Sequence, residues 1–254
     1  MANFPLLVAL ATLMGLSIYI SMPIILMKSS RSRTMTVLNA AAIGILIFLL
    51  ADVFSDASTI IYTNATSSYL ASPGYAITFG VAVAVCFVAL YLIEHRSRNA
   101  NLTPTMMALI IALAIGFQNL TEGLVFGAAW AAGTVGLIGV IFVGFFLQNV
   151  TEGFPITSPF LGKTERRVGL LSLFFLVGGL PTIAGGLVGY YWASAFLDLV
   201  FDALAIGAIL YCILPMLRIA FRPADPPDAT YLKQRLTYVG ILAGFLIGFA
   251  VNAL

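Results

Sequence analysis

The sequence predicts an all-α integral membrane protein with eight transmembrane helices, and three observations carry that expectation. Of 254 residues, 61% are hydrophobic and only 9% charged, whereas a soluble domain carries about 25% charged residues. Mean hydropathy is +1.06. The apolar residues fall into eight stretches, each near the roughly 20 residues that a hydrocarbon core about 30 Å thick requires. The basic residues occupy alternate connections only. This balance excludes soluble enzyme folds and nucleic-acid-binding modules. The net charge of +2 carries no message by itself. Cys86 and Cys212 both lie in apolar runs, which excludes a disulfide scaffold and reads as packing.

The stretches run over residues 5–27, 35–57, 75–94, 105–129, 134–158, 167–191, 195–217 and 233–253, making residues 1–254 a single polytopic domain. The first has no positive segment ahead of it and is followed by Lys28, Arg31 and Arg33, so it reads as a retained span rather than a cleaved signal. Arg96 and Arg98 follow span 3, and Lys163, Arg166 and Arg167 follow span 5. Arg218, Arg222, Lys233 and Arg235 lie between spans 7 and 8. These four groups hold all 12 Lys and Arg, and the alternate loops near 58–74, 130–133 and 192–194 hold none. The positive-inside rule then places both termini outside, in a cell or plasma membrane. A seven- or nine-span chain would scramble the alternation. No lysine lies inside a span, which excludes a retinal-type Schiff base. The only histidine, His95, sits at the end of span 3 beside Glu94 and Arg96 and reads as a solvated boundary residue.

Ionisable groups in hydrocarbon are costly and mark function by default. Glu94, Glu165, Asp225 and Asp228 belong to loops, which leaves Asp52 and Asp56 in span 2, Glu122 in span 4, Glu152 in span 5, and Asp198 and Asp202 in span 7. Glu122 and Glu152 are the deepest, and they end a repeated string. Span 4 reads Gln118-Asn119-Leu120-Thr121-Glu122-Gly123, and span 5 reads Gln148-Asn149-Val150-Thr151-Glu152-Gly153. On a helix, i and i+4 share a face, so each Gln stands over its Glu, while each Asn is turned about 100° aside. Two carboxylates and four amides near the midplane form an all-oxygen donor set that suits a hard or borderline divalent cation. The cation in turn offsets the repulsion between two buried carboxylates. The bland alternative, amides that only join neighbouring helices, leaves the two glutamates at equal spacing unexplained. The Asn-x-Thr strings match a glycosylation sequon but lie at membrane depth, out of reach of that modification.

These residues resemble the ZIP (Zrt/Irt-like) family of divalent-metal transporters, over nearly the whole chain. That family has eight spans, both termini outside, and H-N-x-x-E-G or a close variant in spans 4 and 5. Gln148 to Pro159 is similar to the family's run from motif to helix-ending proline. Asp52-Val53-Phe54-Ser55-Asp56-Ala57 is similar to its H-L-L-P-E-A at the end of span 2. Span 6 carries Gly179-Leu180-Pro181 among glycines, and span 7 keeps Gly207-Ala208-Ile209-Leu210-Tyr211. The resemblance implies that Gln118, Glu122, Gln148 and Glu152 stand at the primary ligand positions, and that Asn119 and Asn149 line the second half of a binuclear site. It also implies a bundle in which spans 1–3 and 6–8 are inverted repeats around spans 4 and 5, with alternating access to a midplane site.

The departures are specific. Both motif histidines are glutamine, so imidazole nitrogens are replaced by neutral amide oxygens, while zinc prefers N and S ligands. Leu180 takes the place of the family's acid before Pro181, and Asp52 that of the span 2 histidine. The family's histidine-rich loop is absent. Thr121 and Thr151 replace the motif prolines and are expected to bend their helices by bonding back to the i−4 carbonyl. These changes point towards weaker binding or towards Mn²⁺ or Fe²⁺ rather than tightly held Zn²⁺.

The expected function is therefore transport of a divalent metal cation (Zn²⁺, Fe²⁺ or Mn²⁺), the ion being substrate, with no organic cofactor and no enzymatic activity. The alternative is a non-transporting metal sensor or regulatory membrane protein of the same fold. An intramembrane metallohydrolase is the least favoured, since no nucleophile or histidine accompanies the carboxylates. Asp52 and Asp56 read either as a cation entrance or as ordinary acids at a water-facing helix end. Asp198 and Asp202 read more readily as the latter than as a second entrance or proton relay. Trp130, Trp192, Tyr190 and Tyr191 read as an interfacial aromatic belt. The small-residue face Gly185-Gly186-x-x-Gly189 packs either within the chain or between the protomers of a homodimer.

Overall fold

A computed structural model describes residues 4–23, 32–63, 72–96, 103–133, 135–161, 168–223 and 227–253. Eight α-helices lie among them. α1 (Phe4–Leu16) runs on as a 3-10 turn over Ser17–Ser21, and α2 (Ser32–Thr63), α3 (Pro73–Arg96) and α4 (Pro104–Ala131) follow. α5 (Val135–Thr157) passes into a second 3-10 turn, Ser158–Phe160, before α6 (Val168–Tyr191), α7 (Ala195–Ala220) and α8 (Pro227–Asn252). No strand occurs among the described residues. By length and composition, seven helices among the described residues can cross a membrane, namely α1 with its 3-10 turn, α2, α3, α4, α6, α7 and α8. The chain is an all-α integral membrane protein.

Local sequence sets the helix ends. Thr103 caps α4, its hydroxyl oxygen accepting from the Met106 amide at 3.2 Å with Pro104 in the first turn, and Ser194 does the same for α7 through the Leu197 amide at 3.5 Å. Both caps satisfy an amide that helix geometry leaves open. α1 tightens after Leu16, where the one proton of the Ser17 hydroxyl is shared between the Met14 carbonyl at 2.6 Å and the Phe146 carbonyl of α5 at 2.9 Å.

Two boundaries differ from those read in the sequence. α2 does not stop at residue 57 but continues to Thr63. Its polar end folds hydroxyls back onto the helix, Thr59 donating to the Ser55 carbonyl at 3.0 Å and Thr63 to that of Thr59 at 2.8 Å. Asp52 and Asp56 therefore lie inside a helix rather than at its end. α8 begins at Pro227, whose fixed φ suits a first helical turn, so Lys233 and Arg235 sit on the helix. Lys233 Nζ donates to the Arg222 carbonyl at 2.7 Å, closing the end of α7 as a cation near a helix C-terminus does. Lys28, Arg31, Arg98, Lys163, Glu165, Arg166, Arg167 and Asp225 lie outside the described residues, as do the side chains of Glu94, His95, Arg96 and Asp228.

Helices in lipid gain little from hydrophobic association and pack instead through close backbone approach at small residues. α4 and α6 meet this way. A side chain at Gly123 would strike the Thr182 carbonyl and Gly186, and one at Gly185 would strike the Leu120 carbonyl. Gly189 faces the Leu124 backbone. The Gly185-Gly186-x-x-Gly189 face is thus filled from within the chain. Gly15 and Gly179 join α1 to α6, Gly44 and Gly244 join α2 to α8, and Gly207 joins α7 to α3. Ile43, Leu46 and Leu49 of α2, Ile111 and Ile115 of α4, Phe175 of α6 and Ile209 of α7 fill the shared core. α3 is peripheral, with no buried residue over Pro73–Leu92. Cys86 and Cys212 are both free thiols in this packing. Trp192 and Tyr191 are exposed, but Trp130 is only 7% exposed and packs on Phe126, so it belongs to the core rather than to an aromatic belt.

Candidate metal centre

All six side chains of the repeated string that were singled out for metal are buried: Gln118, Asn119, Glu122, Gln148, Asn149 and Glu152. α4 and α5 bring them to one place. The Asn119 amide donates to Asn149 Oδ1 at 2.7 Å and to the Gly178 carbonyl of α6 at 2.9 Å. Two acceptors fix the orientation of that amide, because the flipped form would set oxygen against oxygen. Gln118 Nε2 donates to Glu122 Oε1 at 3.2 Å along α4. Asn149 Nδ2 donates to the Phe145 carbonyl at 3.0 Å and reaches Glu122 Oε2 at 3.5 Å. The Asn residues, turned aside from the Gln–Glu line, therefore hold the two helices together.

Glu152 is different. Its side chain is 0% exposed, and neither carboxylate oxygen has a hydrogen-bond partner. The amides of Asn119 and Gln148 and the carboxylate of Glu122 are its neighbours. Gln118 Oε1, Asn119 Oδ1 and Gln148 Oε1 are also buried without a donor. An oxygen buried without a partner is destabilising, and here five collect around two carboxylates with no Lys or Arg in residues 99–162 or 168–217. A cluster in which buried oxygens outnumber the donors that reach them has the chemistry of a cation site, and its oxygens suit a hard divalent ion. No three His, Cys, Asp or Glu side chains gather in metal-binding geometry among the described residues. The amide oxygens are needed to complete any coordination shell.

Leu180, at the position where the resemblance implies an acid, is 46% exposed and turned away from the centre. Its neighbour Gly179 packs on Gly15. What α6 offers the centre is the Gly178 carbonyl, already engaged by Asn119. The two motif threonines diverge. Thr121 donates to the i−4 carbonyl of Phe117 at 3.3 Å as expected, whereas Thr151 donates to the i−3 carbonyl of Gln148 at 2.7 Å. In α5 it is Pro155, inside the helix, that breaks the regular ladder.

Beyond the string, Asp52 is half-buried, accepts from Asn252 Nδ2 at 2.8 Å and has the Gln148 amide beside it. Asp56 is exposed. Asp202, which reads from the sequence more readily as an ordinary helix-end acid than as a second entrance or proton relay, is only 2% exposed, with Oδ2 unpartnered. The available signal was its setting between Leu199 and Ala205-Ile206, a buried apolar stripe at helical spacing.

The fold and the centre define an all-α integral membrane protein with a buried carboxylate–amide cluster. No protein-family model matches the chain, and no curated protein matches it either.

Proposed function

We propose that the chain is a ZIP-like carrier that moves a divalent metal cation across a membrane through the centre formed by α4 and α5. The observation that carries this reading is the five buried, donor-free oxygens around Glu122 and Glu152. They form a polar site in the hydrocarbon that a divalent cation neutralises. The oxygen-only donors favour Mn²⁺ or Fe²⁺ over Zn²⁺. In this reading α5 is the eighth crossing, both termini lie on the side away from the basic loops, and the first three and last three helices are inverted repeats.

The packing supports that symmetry. α2 lies on α8 as α7 lies on α3, and α4 lies on α6 as α5 lies on α1 with its 3-10 turn. Exchange of 1 with 6, 2 with 7, 3 with 8 and 4 with 5 maps each pair onto the other. A midplane site between two repeats is where alternating access operates.

The test is uptake of Mn²⁺, Fe²⁺, Zn²⁺ and Cd²⁺ into liposomes holding the purified chain, alongside Glu152→Gln. Saturable uptake, strongest for Mn²⁺ or Fe²⁺ and lost in the variant, is the expected result. Folded protein that moves no ion above the variant's background would overturn the carrier reading in favour of a non-transporting metal sensor.

A further inference from the structure

The acid pair on α7 is not part of the α4–α5 centre, and its surroundings are unusual. Asp198 lines a cavity of about 380 Å³ bounded by Leu124, Val125 and Ala128 of α4, Ile141 of α5 and Ala193. Its Oδ1 has no partner. Asp202 lies one turn deeper on the same face, 2% exposed, with Oδ2 unpartnered. Thr121 of α4 and Asp56 of α2 are among its neighbours, together with Asp198 and Asp52.

The packing explains why these groups meet. Val53 of α2 packs with Ala205 and Ile206 of α7, with Phe117 of α4 against them. Ala57 and Ile61 of α2 pack with Leu199. Asp56 and Asp202 lie between these two apolar contacts on the α2–α7 seam, and Thr121 is one turn from Phe117. No Lys or Arg occurs in residues 34–95, 99–162 or 168–217, so no basic side chain is at hand to balance the acids.

We propose that Asp202 and Asp56, with the Thr121 hydroxyl, form a second divalent-cation station between the Asp198 cavity and the glutamate centre. Two carboxylates and a hydroxyl present oxygen donors only, and one divalent ion balances both negative charges. Asp52, one turn from Asp56 and beside the Gln148 amide, links the station to the centre. The station deepens the carrier reading and rests on it for its role as a waystation, though its binding is measurable separately.

The experiment is Mn²⁺ titration of the full chain in lipid nanodiscs, with free Mn²⁺ followed by electron paramagnetic resonance, for wild type, Asp202→Asn and Glu152→Gln. Wild type is expected to bind two Mn²⁺ per chain and each variant to retain one. Wild-type stoichiometry in folded Asp202→Asn would overturn the station, as would a single ion lost only in Glu152→Gln. A single ion lost only in Asp202→Asn would sustain the station and overturn the glutamate centre instead. If Asp202→Asn does not fold, Asp56→Asn serves, with one of the two ions bound about tenfold more weakly. Unchanged binding in that variant would overturn the proposal.

Discussion

The two copies of the six-residue string share five residues and do different work. In the α4 copy the acid is held: Glu122 accepts from Gln118 along its own helix and is approached by Asn149 from the other. In the α5 copy the acid is open, with both Glu152 oxygens buried and unpartnered. Each copy's glycine presses on a neighbouring backbone, but Gly123 meets α6 at the Thr182 carbonyl, whereas Gly153 meets the Ile18 carbonyl and the Ser21 hydroxyl of the first 3-10 turn. A repeat in sequence thus gives equivalent placement without equivalent chemistry. The hydrogen-bonding groups are shared out unequally because Asn149 turns towards Glu122 while Asn119 is taken by Asn149 and Gly178. One copy's acid is held, and the other's is left open.

That division is open to challenge by substitution. The largest effect is expected at Glu152: Glu152→Gln removes the open carboxylate and takes cation uptake to background, whereas Glu122→Gln, at a held residue, weakens uptake affinity by about tenfold. Parallel flux curves for the two variants check this, and equal losses would erase the distinction. Gly123→Ala should lower stability by about 1–3 kcal/mol. Gly153→Ala should cost less, since part of what it meets is a serine side chain able to rotate. Thermal unfolding in detergent distinguishes them. Asn119→Ala leaves the Gly178 carbonyl and Asn149 Oδ1 without their donor and should cost about 1–3 kcal/mol, more than Gln148→Ala, whose oxygen has no donor to lose. The smallest effect is expected at the threonines. Thr121→Val and Thr151→Val each remove a hydroxyl bonded to the helix's own backbone, and their stabilities differ by less than about 1 kcal/mol, while Thr121→Val alone also removes an oxygen from the Asp202 station.

Much of the fold was legible because a bilayer leaves few choices: long apolar runs and the placement of 12 basic residues locate the helices. The ends were less legible, since α2 runs on through a polar turn whose Thr59 and Thr63 hydroxyls fold back onto the helix, and hydropathy does not register such a turn. At the centre, helical spacing placed Gln118 over Glu122 correctly, but it has no means of saying that the Asn119 amide nitrogen would be taken by Asn149 and Gly178 while its oxygen stays without a partner. Residues distant in sequence decide such matters. The same limit hid Asp202, whose burial depends on α2 and α4, and Leu180, whose outward direction follows from the tight Gly15–Gly179 contact.

The link between α4 and α5 bears on how the chain is made. α4 ends at Ala131 and α5 begins at Val135. Gly133 turns the chain at φ +70°, a conformation that L side chains rarely adopt, and its amide donates to the Trp130 carbonyl at 3.1 Å. A segment bearing Gln, Asn and Glu is costly to deliver alone into lipid. On the eight-span reading, a short hairpin would deliver both such segments together, so that each polar string meets the other as its first partner. Asn119 and Asn149 can then pair before the later helices α6 to α8 have been synthesised.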